Sequence, residues 1–491
     1  VFQNNLMGAA AAAASAGGGE FYSHQIANSF RWTSGAAYLK RTPSSAGNRQ
    51  TWTFSCWMKA SGVNENADGN VQILGAGTSG NQDTRFRMYF YNSKLSSSSN
   101  EANFNSSAGV YRDPSAWYHI VWKLTGGTSY QYVNGTLAST SSVSGNVAIN
   151  DDVEHLLGIL PNKETISKFK GYFAEVVFID GTALDPTSFA ESKNGVWIPS
   201  DPSGLTFGSQ GYYLDFASAS DPGNDVSGNN NDWTNVSLAT HDQMLDSPTF
   251  NSSSNGGNFA TLNAVTLGSY GTLSEGNLRA NGGAADGSYM ASTMAFTTGK
   301  WYMEFLCVAR SEGWPYVAIL DYANTGFTTT TGMDGWAIRY QADDDLEVNT
   351  GASVSNFGTV TLVATGLTTY TADDIIGIYL DCDNKKLWFT KNGAYFNSGD
   401  PSAGTNPQAT WTGTPNIAFM GATYNNNDYI MNFGQEGTFA GEKTAQGNSD
   451  DTGYGNFYYA PDTGFLAMCS GNLPVADAID PAQTDDDYPQ K

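Results

Sequence analysis

The chain has 491 residues, 40% of them hydrophobic and only 14% charged. Its length predicts two or three domains, and a vocabulary rich in Gly, Ser, Thr and Asn predicts short strands joined by many turns. With 47 acidic against 23 basic residues the net charge is −24 and no basic stripe occurs, which makes nucleic acid a poor partner. The charge reads instead as solubility in a salty medium, where screening is strong, with divalent-cation contacts as a second use. No apolar run reaches bilayer-spanning length, so membrane insertion is not expected. No heptad pattern is sustained. Cys56, Cys307, Cys382 and Cys469 have neither metal-ligand nor disulfide-framework spacing, and buried free thiols are the expectation.

Residues 1–19 open with VFQNN and continue into six alanines and Gly17-Gly18-Gly19. No Lys or Arg precedes Arg31, so the opening is a poor signal peptide. Small side chains let neighbouring backbones approach closely, and the glycines act as a hinge; the segment is expected to order only against another chain.

From 20 to 200, strand-length patterns recur: TWTFSCWMKA, RFRMYFYN, AWYHIVWKL, YQYVNG and GYFAEVVFID. They alternate or run apolar between turns with no helical pattern among them, which predicts an antiparallel sandwich. WYHIVWKLTGGTSYQYVNGTL, with its strand pair and Asn134-Gly135 turn, and FKGYFAEVVFIDGTALDPTSF, with a Gly-aromatic-x-x-Glu run, resemble laminin-G-like domains of the concanavalin-A type. That resemblance implies a jelly roll.

Residues 201–258 read as connector, with one strand at YYLDF followed by an Asp/Asn/Gly cluster. Asp221, Asp225, Asn229, Asn231 and Asp232 fall within twelve residues, a density of oxygens that calcium favours. They lack EF-hand order, and Asx turns account for the same residues without a metal.

A second sandwich is predicted over 259–440 from KWYMEFLCVA, PYVAILD, GWAIRYQ, DIIGIYLDCDNKKLWFTKNGAYF, IAFMGATY and YIMNFGQ. TTGKWYMEF and DIIGIYLDCDNKKLWFTKNG resemble the SPRY family. Since both families are concanavalin-A-like, the two Asn-Gly phrases, at 134–135 and 392–393, are expected to be one strand–turn–strand unit used twice. The fold class is therefore all-β, with two tandem antiparallel jelly rolls and irregular ends.

The opening segment, GNDVSGNNNDWT with LDSPT, and YYAPDTGFLAMCSGNLP within the C-terminal extension 441–491 resemble virion proteins of marine bacteriophages that join these two domain types. The resemblance implies a fibre, appendage or decoration component located in the virion. Its partners would be other virion proteins and a host-surface glycan or protein, and it would form a homo-oligomer, a trimer before other states.

Catalysis finds little to stand on. Concanavalin-A-like glycosidases need two carboxylates across a cleft, and their strand string Glu-x-Asp-x-(x)-Glu does not occur. The nearest run, Asp343-Asp344-Asp345-Leu346-Glu347, reads as a solvated turn. The four histidines have no metal or triad spacing, and His119 in WYHIV reads as structural. A non-enzyme is expected. Sugar sites combine exposed aromatics with amide and acid side chains, so Trp314, Tyr316, Trp336, Tyr340, Tyr424 and Asn426 are the candidate ligand residues. A secreted lectin or glycoside hydrolase is the alternative.

Overall fold

The computed structural model describes residues 21–473 except 34–36, 63–69, 79–84, 100–101, 161–167, 252–254, 268–270, 283–287, 312–315, 323–325, 328–332, 335, 344, 351–355, 364–366 and 424. The N-terminal Ala/Gly segment and the final acidic stretch lie outside these residues. Among those described, regular structure consists of strands and short 3-10 turns, and the fold is all-β.

The first sandwich is built on Trp52–Ala60, which lies mid-way across an eight-stranded sheet. The order runs Thr136–Ser142, Thr128–Val133, Tyr118–Thr125, Trp52–Ala60, Gly171–Asp180, Ser29–Trp32 and Gln243–Met244, with Tyr212–Leu214 also paired to Gly171–Asp180. Seven strands face it: Thr234–Val236, Tyr38–Arg41, His155–Leu157, Asn70–Ala76, Phe86–Tyr91, Lys94–Ser99 and Ala102–Ser106. Side chains alternate across a strand, so Phe54, Cys56 and Met58 enter the core with Trp32, Trp122 and Phe173. Trp57, on the opposite face, packs with Ile26 and Ala190. Covering both faces buries this strand throughout, its polar Thr53, Ser55 and Lys59 included.

The second sandwich repeats the plan. Its larger sheet runs Gly271–Ser274, Arg279–Gly282, Asp428–Asn432, Lys300–Ala309, Ile375–Asp381, Lys386–Lys391, Ala409–Trp411 and Val360–Leu362. The facing sheet runs Ser288–Phe296, Ile417–Thr423, Tyr316–Asp321, Trp336–Gln341 and Leu346–Thr350. Trp301, Met303 and Phe305 meet Val317, Ile319 and Ile338 in the core between them.

Two stretches read as accessory are structural. From 201–258, Tyr212–Leu214, Thr234–Val236 and Gln243–Met244 all pair with strands of the first sandwich; Trp233 and Leu238 join its core. The strand expected at YYLDF is among them. From the C-terminal extension, Leu466–Ala467 pairs in parallel with Lys300–Ala309. Phe457, Phe465 and Cys469 cover Tyr302, Tyr379 and Trp388 on the back of the second sandwich. All four cysteines are buried free thiols.

The sandwiches meet in a buried polar seam. Lys59, fully buried, donates to Asp246 Oδ2 (2.7 Å), Asn258 Oδ1 (2.8 Å) and the Phe259 carbonyl (2.8 Å). Arg31, also fully buried, donates to Asp242 through Nε and Nη2, with Glu275 and Glu436 at 3.3 and 3.9 Å. Tyr172 donates to the Gly276 carbonyl at 2.7 Å and its ring joins the second core. Buried charges persist only when partnered, so these contacts fix the two units against each other.

Candidate functional site

Strand alternation decides which of the expected aromatics can meet a ligand. Tyr316–Asp321 and Trp336–Gln341 pair antiparallel, with Tyr316 opposite Gln341 and Ala318 opposite Arg339. Tyr340 therefore points inward. It is fully buried against Tyr370, Phe389 and Phe396, and its hydroxyl donates to the Thr368 carbonyl. Tyr340 is core, not a ligand residue.

Tyr316 lies on the outer face but is only 3% exposed. The Arg339 guanidinium stacks 4.8 Å from its ring centroid, and Tyr289 adjoins it at 5.8 Å. Burial pushes its hydroxyl pKa well above the usual range. Arg339 also pairs with Glu347 on the neighbouring strand, and both keep partial exposure. Asn426 is exposed in a left-handed turn (φ 62°) just past Ile417–Thr423, anchored where Asn427 Oδ1 accepts from Ser311 N at 2.9 Å. Trp314 and Tyr424 lie outside the described residues, and Trp336 is described only as strand backbone.

What the structure assembles on the outer face of the five-stranded sheet is thus half-buried Tyr289 and Arg339 around Tyr316, with Glu347 paired to Arg339. Sequence reasoning picked Trp336 and Tyr340 of GWAIRY and passed over Arg339. The signal was present: in alternation, the residue between inward Ile338 and Tyr340 must face out. A stacked guanidinium beside an acid can order hydroxyl groups by several hydrogen bonds at once.

The acidic cluster of 221–232 is a turn network. Asp225, buried, accepts from Tyr213 N, Ser227 N, Ser227 Oγ and Asn231 N. Asp232 Oδ1 accepts from Asp225 N, while Asn229 and Asn231 donate to the carbonyls of residues 208, 209 and 211. Asp221 is exposed and apart from this network. Both Asp225 oxygens and Asp232 Oδ1 accept backbone N–H groups, the Asx-turn use of such residues. Among the described residues no group of three His, Cys, Asp or Glu side chains has metal-holding geometry.

His119 is structural, as its setting in WYHIV implied. It stacks on Trp57, accepts at Nδ1 from Trp197 Nε1 (3.0 Å) and contacts Ser55 Oγ through Nε2 (2.8 Å). Complete burial pulls its pKa down to about 3, so the ring is neutral. Glu175, from the Gly-aromatic-x-x-Glu run, sits at a bulge with φ 46° and accepts from Tyr213 Oη (2.6 Å) and His24. Asp343 and Asp345, of the acidic string, are exposed beside a turn.

Residues 33–188 match the laminin-G-type model of the Concanavalin A-like lectin/glucanases superfamily. Among solved structures, the chain is similar to the SPRY domain of human HERC1 at 16% identity, over 31% of this chain and 87% of that one, with a TM-score of 0.22. It is similar to the CBM40 module of Ruminococcus gnavus IT-sialidase, solved with α2,3 sialyllactose, at 17% identity over 29% and 85%, TM-score 0.23. A pentraxin from Limulus polyphemus matches at 18% identity over 33% and 80%, TM-score 0.26. These are likenesses of fold alone. No curated protein matches the sequence. The match over residues 33–188 agrees with the antiparallel sandwich described for that stretch.

Proposed function

We propose that this chain is a non-enzymatic component of a marine phage virion, a fibre, appendage or decoration protein that holds a host-surface glycan or protein. The observation that carries the binding part is the outer-face cluster of Tyr289, Tyr316, Arg339 and Glu347, where a partly exposed guanidinium and an acid stand beside aromatic surface. The building-block part is supported by the buried seam of Lys59 and Arg31, which suits a rigid element that transmits position. The phage assignment rests on the resemblance of the opening, linker and C-terminal segments, and a homo-oligomer, a trimer first, goes with it. Calcium has no role in this reading.

A secreted lectin or concanavalin-A-like glycoside hydrolase is the second reading. It is favoured by the family match over 33–188, whose superfamily spans lectins and glucanases alike. One experiment separates binding from hydrolysis: the full purified chain on a glycan array, with reducing-sugar release measured on whatever it binds. Binding without release, weakened by Arg339→Ala, supports the binding part of the proposal and contradicts the hydrolase. Saturable release abolished by a single Asp or Glu substitution would establish the hydrolase instead. Detection of the chain in purified particles tests the virion assignment separately.

A further inference from the structure

Among the described lysines, Lys59 alone is fully buried. Its Nζ meets three oxygens of the segment that leads into the second sandwich: Asp246 Oδ2 at 2.7 Å, Asn258 Oδ1 at 2.8 Å and the Phe259 carbonyl at 2.8 Å. Asp246 is fully buried as well, and its Oδ1 accepts from Trp117 Nε1 at 3.0 Å. Asn258 Nδ2 donates to the Ser115 carbonyl at 2.8 Å, which turns the amide oxygen toward Lys59. The Tyr172 ring, 5.6 Å from Nζ, adjoins the same nitrogen. One amine, one carboxyl and one primary amide thus meet around a single nitrogen, with aromatic rings beside them.

That grouping has a chemistry as well as a structural use. Desolvation pulls the Lys59 amine's pKa down and pushes the Asp246 carboxyl's up. Both shifts favour passing a proton from Nζ to Oδ2 across their contact, which leaves a neutral amine, the nucleophilic form. Asn258 offers that amine a carbonyl carbon bearing a group that can depart as ammonia. Contact held by the fold replaces collision with positioning. Asn258 is half-buried, which gives ammonia a way out, whereas Lys59 and Asp246 are closed off from water.

We propose that Lys59 and Asn258 join in an intramolecular isopeptide bond, with Asp246 as the proton carrier. Once Asp246 holds the proton, rotation about Cε–Nζ turns the amine's lone pair from Asp246 toward Asn258 Cγ. The Nζ–Cγ bond forms, Asp246 gives its proton to the departing Nδ2 and takes one from Nζ, and the Cγ–Nδ2 bond breaks. An amine and a primary amide become a secondary amide and ammonia, and Asp246 ends the step uncharged, as it began it. No electrons are exchanged and no co-reactant is needed. The link joins the strand Trp52–Ala60 to the entry of the second sandwich, 199 positions away, and closing so long a loop restricts the unfolded chain. It rests on neither the glycan reading nor the virion reading.

The test is the denatured mass of the full purified chain after prolonged incubation in the folded state, together with a peptide map by tandem mass spectrometry. The chain should weigh one ammonia less than its sequence, and the map should contain a branched peptide joining Lys59 to Asn258. Asn258→Ala leaves Lys59 its contacts with Asp246 and the Phe259 carbonyl and should fold; it should show its full sequence mass and a melting temperature below the parent's. Asp246→Asn removes the proton carrier and should also show its full mass. If either variant fails to fold, the parent's mass and map decide alone. A parent of full mass overturns the inference, as does an ammonia loss that maps to a succinimide at an Asn-Gly turn. A link from Lys59 to Asp246 with loss of water, or a bond that forms undiminished in Asp246→Asn, overturns it too.

Discussion

The two sandwiches differ in what covers them and agree in what turns them. In the first, Asn134 (φ 47°) and Gly135 (φ 75°) close Thr128–Val133 onto Thr136–Ser142. In the second, Asn392 (φ 50°) and Gly393 (φ 76°) close Lys386–Lys391 onto Ala394–Tyr395. Positive φ at both positions defines the tight turn that matches strand twist. Each asparagine also reaches back to the strand before the hairpin: Asn134 Oδ1 accepts from His119 N and Asn392 Oδ1 from Ile375 N, both at 2.8 Å. Each hairpin occupies the same place in its sheet, next to the strand that flanks Trp52–Ala60 or Lys300–Ala309.

The covers are unrelated segments doing one job. A side chain added at Gly135 would lie 2.6 Å from the Trp197 ring, and one at Gly393 would lie 2.9 Å from the Tyr459 ring. So each turn glycine is overlaid by an aromatic, supplied by the strand Val196–Pro199 in one case and by the C-terminal extension in the other. The hairpin is a local device, and the cover is a separate long-range solution.

The harshest way to break the parallel is to remove one cover. Truncation after residue 440 exposes Tyr302, Tyr379 and Trp388 together and strips Glu304 of the Tyr458 and Tyr459 amides it accepts from, at 2.9 and 2.6 Å. The expected outcome is loss of the second sandwich's cooperative melting transition, checked by calorimetry.

Glu304 offers a finer cut. It is fully buried, and desolvation raises its pKa to about 7 despite four hydrogen-bond donors. A carboxyl raised in the folded state binds more protons there than when unfolded. Its contribution to stability is therefore full below its ordinary value near 4.5 and is lost as pH rises through about 7. Glu304→Gln should cost about 2–4 kcal/mol by leaving backbone donors facing an amide N–H₂, and should remove that part of the pH dependence. Urea melts of both proteins across this pH range check it; identical slopes would contradict the assignment.

Smaller effects are expected at the turns. Gly135→Ala and Gly393→Ala should each cost about 1–2 kcal/mol for the left-handed backbone alone, with the larger total at Gly135 because its aromatic neighbour is closer. The smallest effect is at 221–232, where chelation with EDTA should leave the melting temperature unchanged, since Asp225 is satisfied by backbone donors.

The sequence revealed the hairpins and most strands because their signals are local: alternation, an Asn-Gly pair, a run of β-branched and aromatic residues. It did not reveal the covers. Glu304 alternates with core residues and so reads as solvent-facing; only the return of residues 457–467 buries it. Lys59 and Asp246 are 187 positions apart, and nothing near either announces the pair. Tyr340 was misplaced among the candidate ligand residues for a related reason. Aromatic identity was legible, but the strand left Trp336 and Tyr340 open between core and ligand face, and Tyr340 lies in the core while its neighbour Arg339 faces outward. The Asp/Asn cluster reads alike as turn or metal site until its hydrogen-bond partners are placed.

The shared turn unit is tested most directly by native-state hydrogen exchange at two amides, His119 and Ile375, in the parent protein and in Asn134→Ala and Asn392→Ala. Both amides should be protected in the parent. Asn134→Ala should speed exchange at His119 alone, and Asn392→Ala at Ile375 alone, by similar factors. Unprotected amides in the parent, or variants that leave their own amide unchanged, would show that the two phrases are not one structural unit used twice.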